Sequence, residues 1–381
     1  MENSNSVSEY MCPRDEAEFR AIIERVTSNR FFKFFSQAVW GPTPLDKTRA
    51  LMKSMNGVDD FQQRVMRPFV GNLLAMTSKG LTYSGLEHLE RDKGYLFISN
   101  HRDIVVDPLL LEYVLMCNDM PTTDITIGNN LLHMQFLVDL ACLNKIFRVV
   151  RDSKSIKDYL ANSMLLSRFL RSTVAEGRSV WIAQRNGRAK DGNDLTDRGL
   201  VKMFDMSDGT KDFVASYEKL NIVPVSISYE IESCDYLKTM ELYKTRDGGH
   251  YVKGRHEDMK SILTGAMQPK GRIHMEFCKP LSHEDLVALG EGSKNGFQNA
   301  LSELLERRIM DNYKLFPFNY VAHDLRSGAA VYADQYTAEE HDEFLVRLEV
   351  LKEMASAEGA DYEAMKEIYL GIYANPVDNK N

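Results

Sequence analysis

Cysteine is scarce in this chain: Cys12, Cys117, Cys142, Cys234 and Cys278 are five scattered thiols in 381 residues, with no Cys-x-x-Cys pair. That excludes the closely spaced ligand pairs of a zinc site and gives no even framework for disulfides. It fits reduced thiols in a cytoplasmic protein. Long apolar runs are missing as well. No window approaches the ~18 uninterrupted apolar residues of a transmembrane helix, so none is expected. The opening residues, MENSNSVSEYMCPRDEAEF, lack the basic start and apolar core of a secretory signal, so export is not expected. Nor is there an excess of positive charge: 47 Lys and Arg stand against 55 Asp and Glu, a net charge of −8. With a pI near 5.7 this argues against a dedicated nucleic-acid binder. No Gly-x-Ser-x-Gly string occurs, which removes the nucleophile elbow of an α/β hydrolase. What remains is an ordinary globular balance, 44% hydrophobic and 27% charged, which rules out wholesale disorder and fibrous architecture. The length suits one or two domains.

Along the chain the texture changes twice. Residues 1–78 read as helical, with EAEFRAIIERV and DDFQQRVMRPFVGNLLAM carrying apolar residues at helical spacing around a GPTPLD turn. Between them Phe31, Phe32, Phe34, Phe35 and Trp40 crowd together, a set suited either to packing on a core or to an interfacial membrane contact. Over 79–290, short apolar runs at 95–99, 124–128, 146–150, 179–183, 222–229 and 272–277 alternate with helix-length amphipathic stretches. That alternation predicts an α/β domain with a mixed central sheet flanked by helices. Residues 291–381 return to helix and turn acidic, so the fold class expected is α/β with helical N- and C-terminal extensions. Charge is polarised. Residues 145–202 hold thirteen Lys or Arg against six Asp or Glu, whereas from Asp334 onward twelve acids face four bases. The basic stretch falls on strand ends and loops, where it favours an anionic ligand.

The most informative string is YLFISNHRDIVVDPLLLEYVL. An apolar strand runs into Asn100-His101, and Asp107-Pro108 follows ahead of an amphipathic helix. A histidine at a strand's exit with carboxylates close by is what a general base needs: one ring nitrogen takes a proton while a carboxylate holds the other. Asp107 precedes a proline and so also fits a helix N-cap. An ideal helix would separate positions 101 and 107 by about 600° of turn, so the segment has to loop. Asp103 is therefore a second candidate partner for His101, with Asp107 preferred.

This chain resembles the glycerolipid acyltransferases, a family that includes glycerol-3-phosphate and lysophosphatidate acyltransferases. The family's first block is Asn-His, four residues and an Asp. Here Asn100-His101 is followed by Asp107, one residue further on. The family's second block ends in Phe-x-x-Arg, matched here by Phe147 and Arg151 in KIFRVVRD, one residue further apart. The third is a strand and a Gly-Arg turn, here Gly187-Arg188 in SVWIAQRNGRAKDG, with Arg185 where many members carry Glu. The fourth is a strand with an internal proline, Pro224 in IVPVSISYE, and the lead-in LTYSGLEHLERDKG is similar too.

The resemblance implies acyl transfer from an acyl thioester, acyl-CoA or acyl carrier protein as co-substrate, to a hydroxyl of glycerol-3-phosphate or 1-acylglycerol-3-phosphate. His101 would be the general base, served by Asp107 or Asp103. Asn100, Arg151, Gly187, Arg188 and Pro224 would line the substrate site, with the arginines gripping the acceptor phosphate by their planar forks. It implies no metal and no other cofactor, no nucleic-acid partner, and a cytoplasmic protein with peripheral contact to the inner face of the membrane. Outside the family context, Arg151 reads equally well as a surface ion pair with Asp152 or Asp158, and Gly187-Arg188 as a solvated turn. The altered first block and Arg185 leave room for an acceptor without phosphate, such as an amino-acid lipid, or for a non-catalytic lipid-binding relative.

Overall fold

A computed structural model describes residues 10–128, 134–149, 155–246, 254, 257–290 and 292–380. Its centre is an eight-stranded mixed sheet made of β1 (Tyr10–Met11), β2 (Gly80–Ser84), β3 (Leu96–Ser99), β4 (Asp124–Gly128), β5 (Ile146–Val149), β6 (Val180–Ala183), β7 (Ile222–Tyr229) and β8 (Arg272–Phe277). The spatial order is β1-β5-β4-β6-β3-β7-β8-β2. From β5 to β7 every pairing is parallel, and the same is true of β8 with β2. Only β1 on β5 and β7 on β8 run antiparallel. The two innermost partners of β3 bury every or nearly every residue, as does β3 itself, which is why they read as continuous apolar runs. Near the far edge β8 alternates buried and half-buried residues, because one face there is open.

Two cores cover the two faces, and β3 divides its side chains between them with period two. Phe97 joins Val223, Val225 and Ile227 under Leu110, Leu111 and Val114 of the helix Val106–Cys117. Leu96 and Ile98 face the other way, onto Leu166 and Leu170 of the helix Ile156–Ala175 and Leu301 and Leu305 of the helix Lys294–Asp311. That last helix, on the C-terminal side of position 290, therefore packs directly beneath the sheet. The N-terminal helices form a third cluster around Phe32, Phe61 and Phe136. Phe31, Phe35 and Trp40 pack against it half-buried, and of the aromatic group only Phe34 is widely exposed, at 70%. The C-terminal helices Pro317–Ser327, Ala338–Glu358 and Tyr362–Asp378 make a fourth. The one element inside the helical N-terminal region that breaks its pattern is β1, which closes the sheet edge beside β5. Among the described residues no helix is long and apolar enough to cross a membrane.

In an open parallel sheet, ligands bind outside the carboxyl ends of the strands. A cleft lies there, past the ends of β3, β4, β5 and β6.

Candidate active site

His101 leaves β3 two residues after its last strand position, and its ring is held on both sides. Its Nδ1 lies 2.9 Å from Asp107 Oδ2. The Trp181 ring on β6 meets it edge-on, with centroids 6.2 Å apart at 71°. Trp181 is itself fixed by its Nε1, which donates to Ser99 Oγ at 3.0 Å. With Nδ1 donating to a carboxylate, Nε2 is the nitrogen left to accept a proton.

Asp107 is fully buried and saturated with donors. Besides His101, its Oδ2 accepts the backbone N–H of Arg102 at 2.7 Å and of Asp103 at 2.9 Å. Its Oδ1 accepts the Tyr229 hydroxyl from the end of β7 at 2.8 Å. Burial, and after it the charge of Asp107, push the Tyr229 hydroxyl well above its ordinary pKa, so it stays a donor. Asp107 is thus the partner of His101. The extra residue in the first block is absorbed by a turn whose two amides fold back onto that same carboxylate.

Asp107 lies inside the first turn rather than at the N-cap, which is Val105 and has no side-chain cap of its own; the amides at this end are received by Asp103. Its Oδ1 accepts from Val105 N at 2.9 Å and Val106 N at 2.8 Å, the first amides of the helix, and its Oδ2 accepts the Ser233 hydroxyl. The helix begins at Val106, two residues before Pro108. Proline is tolerated there because amides of the first turn have no intrahelical acceptor.

The cleft beside His101 encloses about 300 Å³ and runs between the strand ends and the walls formed by the helices Ile156–Ala175 and Arg198–Phe204. One part is apolar, lined by Ile127, Val149, Leu166, Leu200 and Met203. The other is polar and carries more cations than carboxylates, Arg185 and Arg188 on the turn after β6 with Lys190, against Asp197 and Asp258. Gly187 has φ of 75°, a left-handed conformation that suits glycine, and a Cβ added there would meet nothing within 4 Å. Arg188 is the decisive side chain. It is only 8% exposed, its Nη1 is buried without a hydrogen-bond partner, and no carboxylate pairs with it among the described residues. A buried guanidinium with no counter-ion is costly unless a ligand supplies the negative charge.

The remaining expected residues are placed differently. Asn100 is fully buried; its amide nitrogen donates to Ile227 O at 2.9 Å and Asp194 Oδ2 at 3.1 Å, while Ile227 N donates to its Oδ1 at 2.8 Å. Its polar groups thus clamp β3 to β7 rather than face the cleft. Pro224 sits in the middle of β7 opposite Ile98, buried and away from the cleft lining. Arg151 lies outside the described residues. No group of three or more His, Cys, Asp or Glu that could hold a metal occurs among the described residues.

Residues of the first three blocks, His101, Val149 and the Arg185–Arg188 turn, therefore line one cleft, while the strand of the fourth block lies away from its lining. Residues 80–228 match the family model named Acyltransferase. This is an acyltransferase domain. That match agrees with the expectation of an acyltransferase. A search of curated proteins finds no match. Among solved structures the chain is similar to the 1-acyl-sn-glycerophosphate (LPA) acyltransferase PlsC of Thermotoga maritima, at 13% identity and a TM-score of 0.37, covering 76% of this chain and 92% of that one. That likeness is too distant to carry residue roles, which rest on the geometry above.

Three groups in the acyltransferase site escape the sequence motifs. Tyr229, at the end of the fourth block's strand, orients Asp107 across 122 positions. Arg102, next to His101, is buried rather than solvated, and Asp194 in the KDGND turn receives it. Burial opposes the charge on the Arg102 guanidinium, but Asp194 and Glu232 outweigh it and push the group well above its ordinary pKa.

Proposed function

We propose that this acyltransferase moves a fatty acyl group from an acyl thioester to a hydroxyl of an anionic glycerolipid acceptor, glycerol-3-phosphate or 1-acylglycerol-3-phosphate. The observation that carries the reading is Arg188, a buried guanidinium that no carboxylate pairs with among the described residues, in the same cleft as the open nitrogen of His101. An acceptor whose phosphate neutralises Arg188 brings its hydroxyl into the cleft beside the imidazole. His101 Nε2 takes the hydroxyl proton as the oxygen attacks the thioester carbonyl, and Asp107 stabilises the imidazolium that forms. The tetrahedral intermediate then expels the thiolate, which takes the proton back from His101. The apolar wall of Leu166, Leu200 and Met203 suits the acyl chain, and the thioester carrier is acyl-CoA or acyl carrier protein.

The test compares phosphorylated and phosphate-free acceptors with wild type and Arg188→Ala, using labelled acyl thioester and product identification. Charge-assisted hydrogen bonds to an anion contribute roughly 1.5–3 kcal/mol, so the variant should raise the KM of the phosphorylated acceptor by about tenfold or more and leave the donor KM little changed. A flat acceptor KM with a raised donor KM would assign Arg188 to the thioester carrier. Equal use of both acceptors by the wild type would favour a non-phosphate acceptor instead.

A further inference from the structure

The loop carrying Arg188 and the loop carrying His101 are tied together at two points. One is a backbone bond, Ala189 N to His101 O at 2.7 Å. The other is a carboxylate that lies outside the four sequence blocks. Asp194 Oδ2 accepts Arg102 Nη2 at 2.6 Å, Arg102 Nε at 3.2 Å and Asn100 Nδ2 at 3.1 Å, so both chain neighbours of His101 bond to the same oxygen. Asp194 is 3% exposed and Arg102 1%.

The rest of the cluster fixes Arg102 from behind. Its Nη1 donates to Glu232 at 3.2 Å and its Nη2 to Gly192 O at 3.2 Å, and Tyr313 stacks beneath the guanidinium. Lys238 Nζ donates both to Glu232, at 2.5 Å, and to Arg102 O, at 2.8 Å. The C-terminal helix Tyr362–Asp378 presses on the same loop. A Cβ at Gly192, whose φ is 84°, would collide with Ile372 O, and Asn375 Nδ2 donates to Asp191 O at 2.7 Å.

Buried ion clusters of this kind are often replaceable by apolar residues without loss of stability; their best-attested use is to enforce one geometry. Here the geometry enforced is the separation between a general base and an anion-binding cation. We propose that Asp194 is a positioning residue that keeps His101 and Arg188 in register, so that an acceptor seated by its anionic group presents its hydroxyl to the imidazole. This rests on the roles given above to His101 and Arg188.

The experiment is a double-mutant cycle of Asp194→Asn and Arg188→Ala, read as kcat/KM for 1-acylglycerol-3-phosphate at saturating thioester, with thermal midpoints measured for all four proteins. Misplacement by about 1 Å costs on the order of a hundredfold, and that is the loss expected from Asp194→Asn in the wild-type background. In the Arg188→Ala background there is no register left to lose, so the further loss should be less than about threefold. Equal losses in both backgrounds would overturn the proposal and leave Asp194 a structural ion-pair partner. If Asp194→Asn does not fold, Arg102→Lys enters the same cycle, because it keeps the charge but loses the fork. Failure of both to fold would also assign the cluster to stability alone. A wild-type enzyme that ignores phosphorylated acceptors would remove the proposed function and this proposal together, whereas additivity removes only this one.

Discussion

Replacing Asp107 with Asn isolates the electrostatic part of the His101 pair. The two side chains are nearly isosteric, and the asparagine oxygen can still accept the Arg102 and Asp103 amides that fold back onto Oδ2. What is lost is a full negative charge 2.9 Å from Nδ1. Coulomb's law at an effective dielectric constant of about 20 puts that attraction at roughly 6 kcal/mol for a fully formed imidazolium. The transition state has only part of that charge, so a share of it is forfeited. This agrees with the roughly 10²–10⁴-fold worth of general acid–base catalysis, about 3–5 kcal/mol. Acyl transfer by Asp107→Asn should therefore fall by about a thousandfold in kcat at saturating acceptor. The acceptor KM should stay nearly constant, because Asp107 touches no substrate. A continuous thiol-release assay of wild type and variant, with the variant shown to be folded by circular dichroism, measures this. Activity within tenfold of wild type would refute the pairing as a catalytic device.

Asp103→Asn should be mild, since Asn caps about as well as Asp and can still accept from Val105 N and Val106 N. We expect activity within about tenfold and a stability loss of no more than about 1 kcal/mol by urea titration; a hundredfold loss of turnover would mean that Asp103 takes part in catalysis. Glu112 makes a pH prediction. It is buried, and burial pushes its carboxyl up to about 7 although Thr123 donates to it through N at 2.9 Å and through its hydroxyl. The folded state then holds a proton that the unfolded state releases, so stability falls as pH rises from about 4.5 to 7, by roughly 3 kcal/mol at most. Glu112→Gln should flatten that slope in thermal melts between pH 5 and 8, and an unchanged slope would remove Glu112 as its source.

How much of this was legible in the sequence follows from burial and distance along the chain. The six strands from 95 to 277 showed as apolar runs because they are central or nearly central in the sheet. The two-residue β1 has no pattern to show. His101 and Arg188 were readable because each sits at a strand exit beside residues of distinctive type. Asp107 before a proline looks like a helix start, yet the helix begins at Val106, one residue earlier, and Asp103 Oδ1 receives that first amide. Asn100 looked like a ligand for lack of any sequence sign that β7 would consume its amide. Arg102, Asp194 and Tyr229 were missed because their partners lie 92 and 122 positions away. A charged residue beside a loop histidine reads as solvated until the fold buries it. The helix Tyr362–Asp378 is buried over much of its circumference and carries Pro376, so it presented no clear apolar stripe.

The central claim is that His101 is the base that activates the acceptor hydroxyl. The most direct measurement is single-turnover acyl transfer by folded His101→Ala, with labelled acyl thioester and phosphorylated acceptor both saturating. The account predicts a loss of at least a hundredfold in the rate of product formation, with acceptor and thioester binding close to wild type. A His101→Ala enzyme that keeps more than about a tenth of the wild-type rate would contradict it.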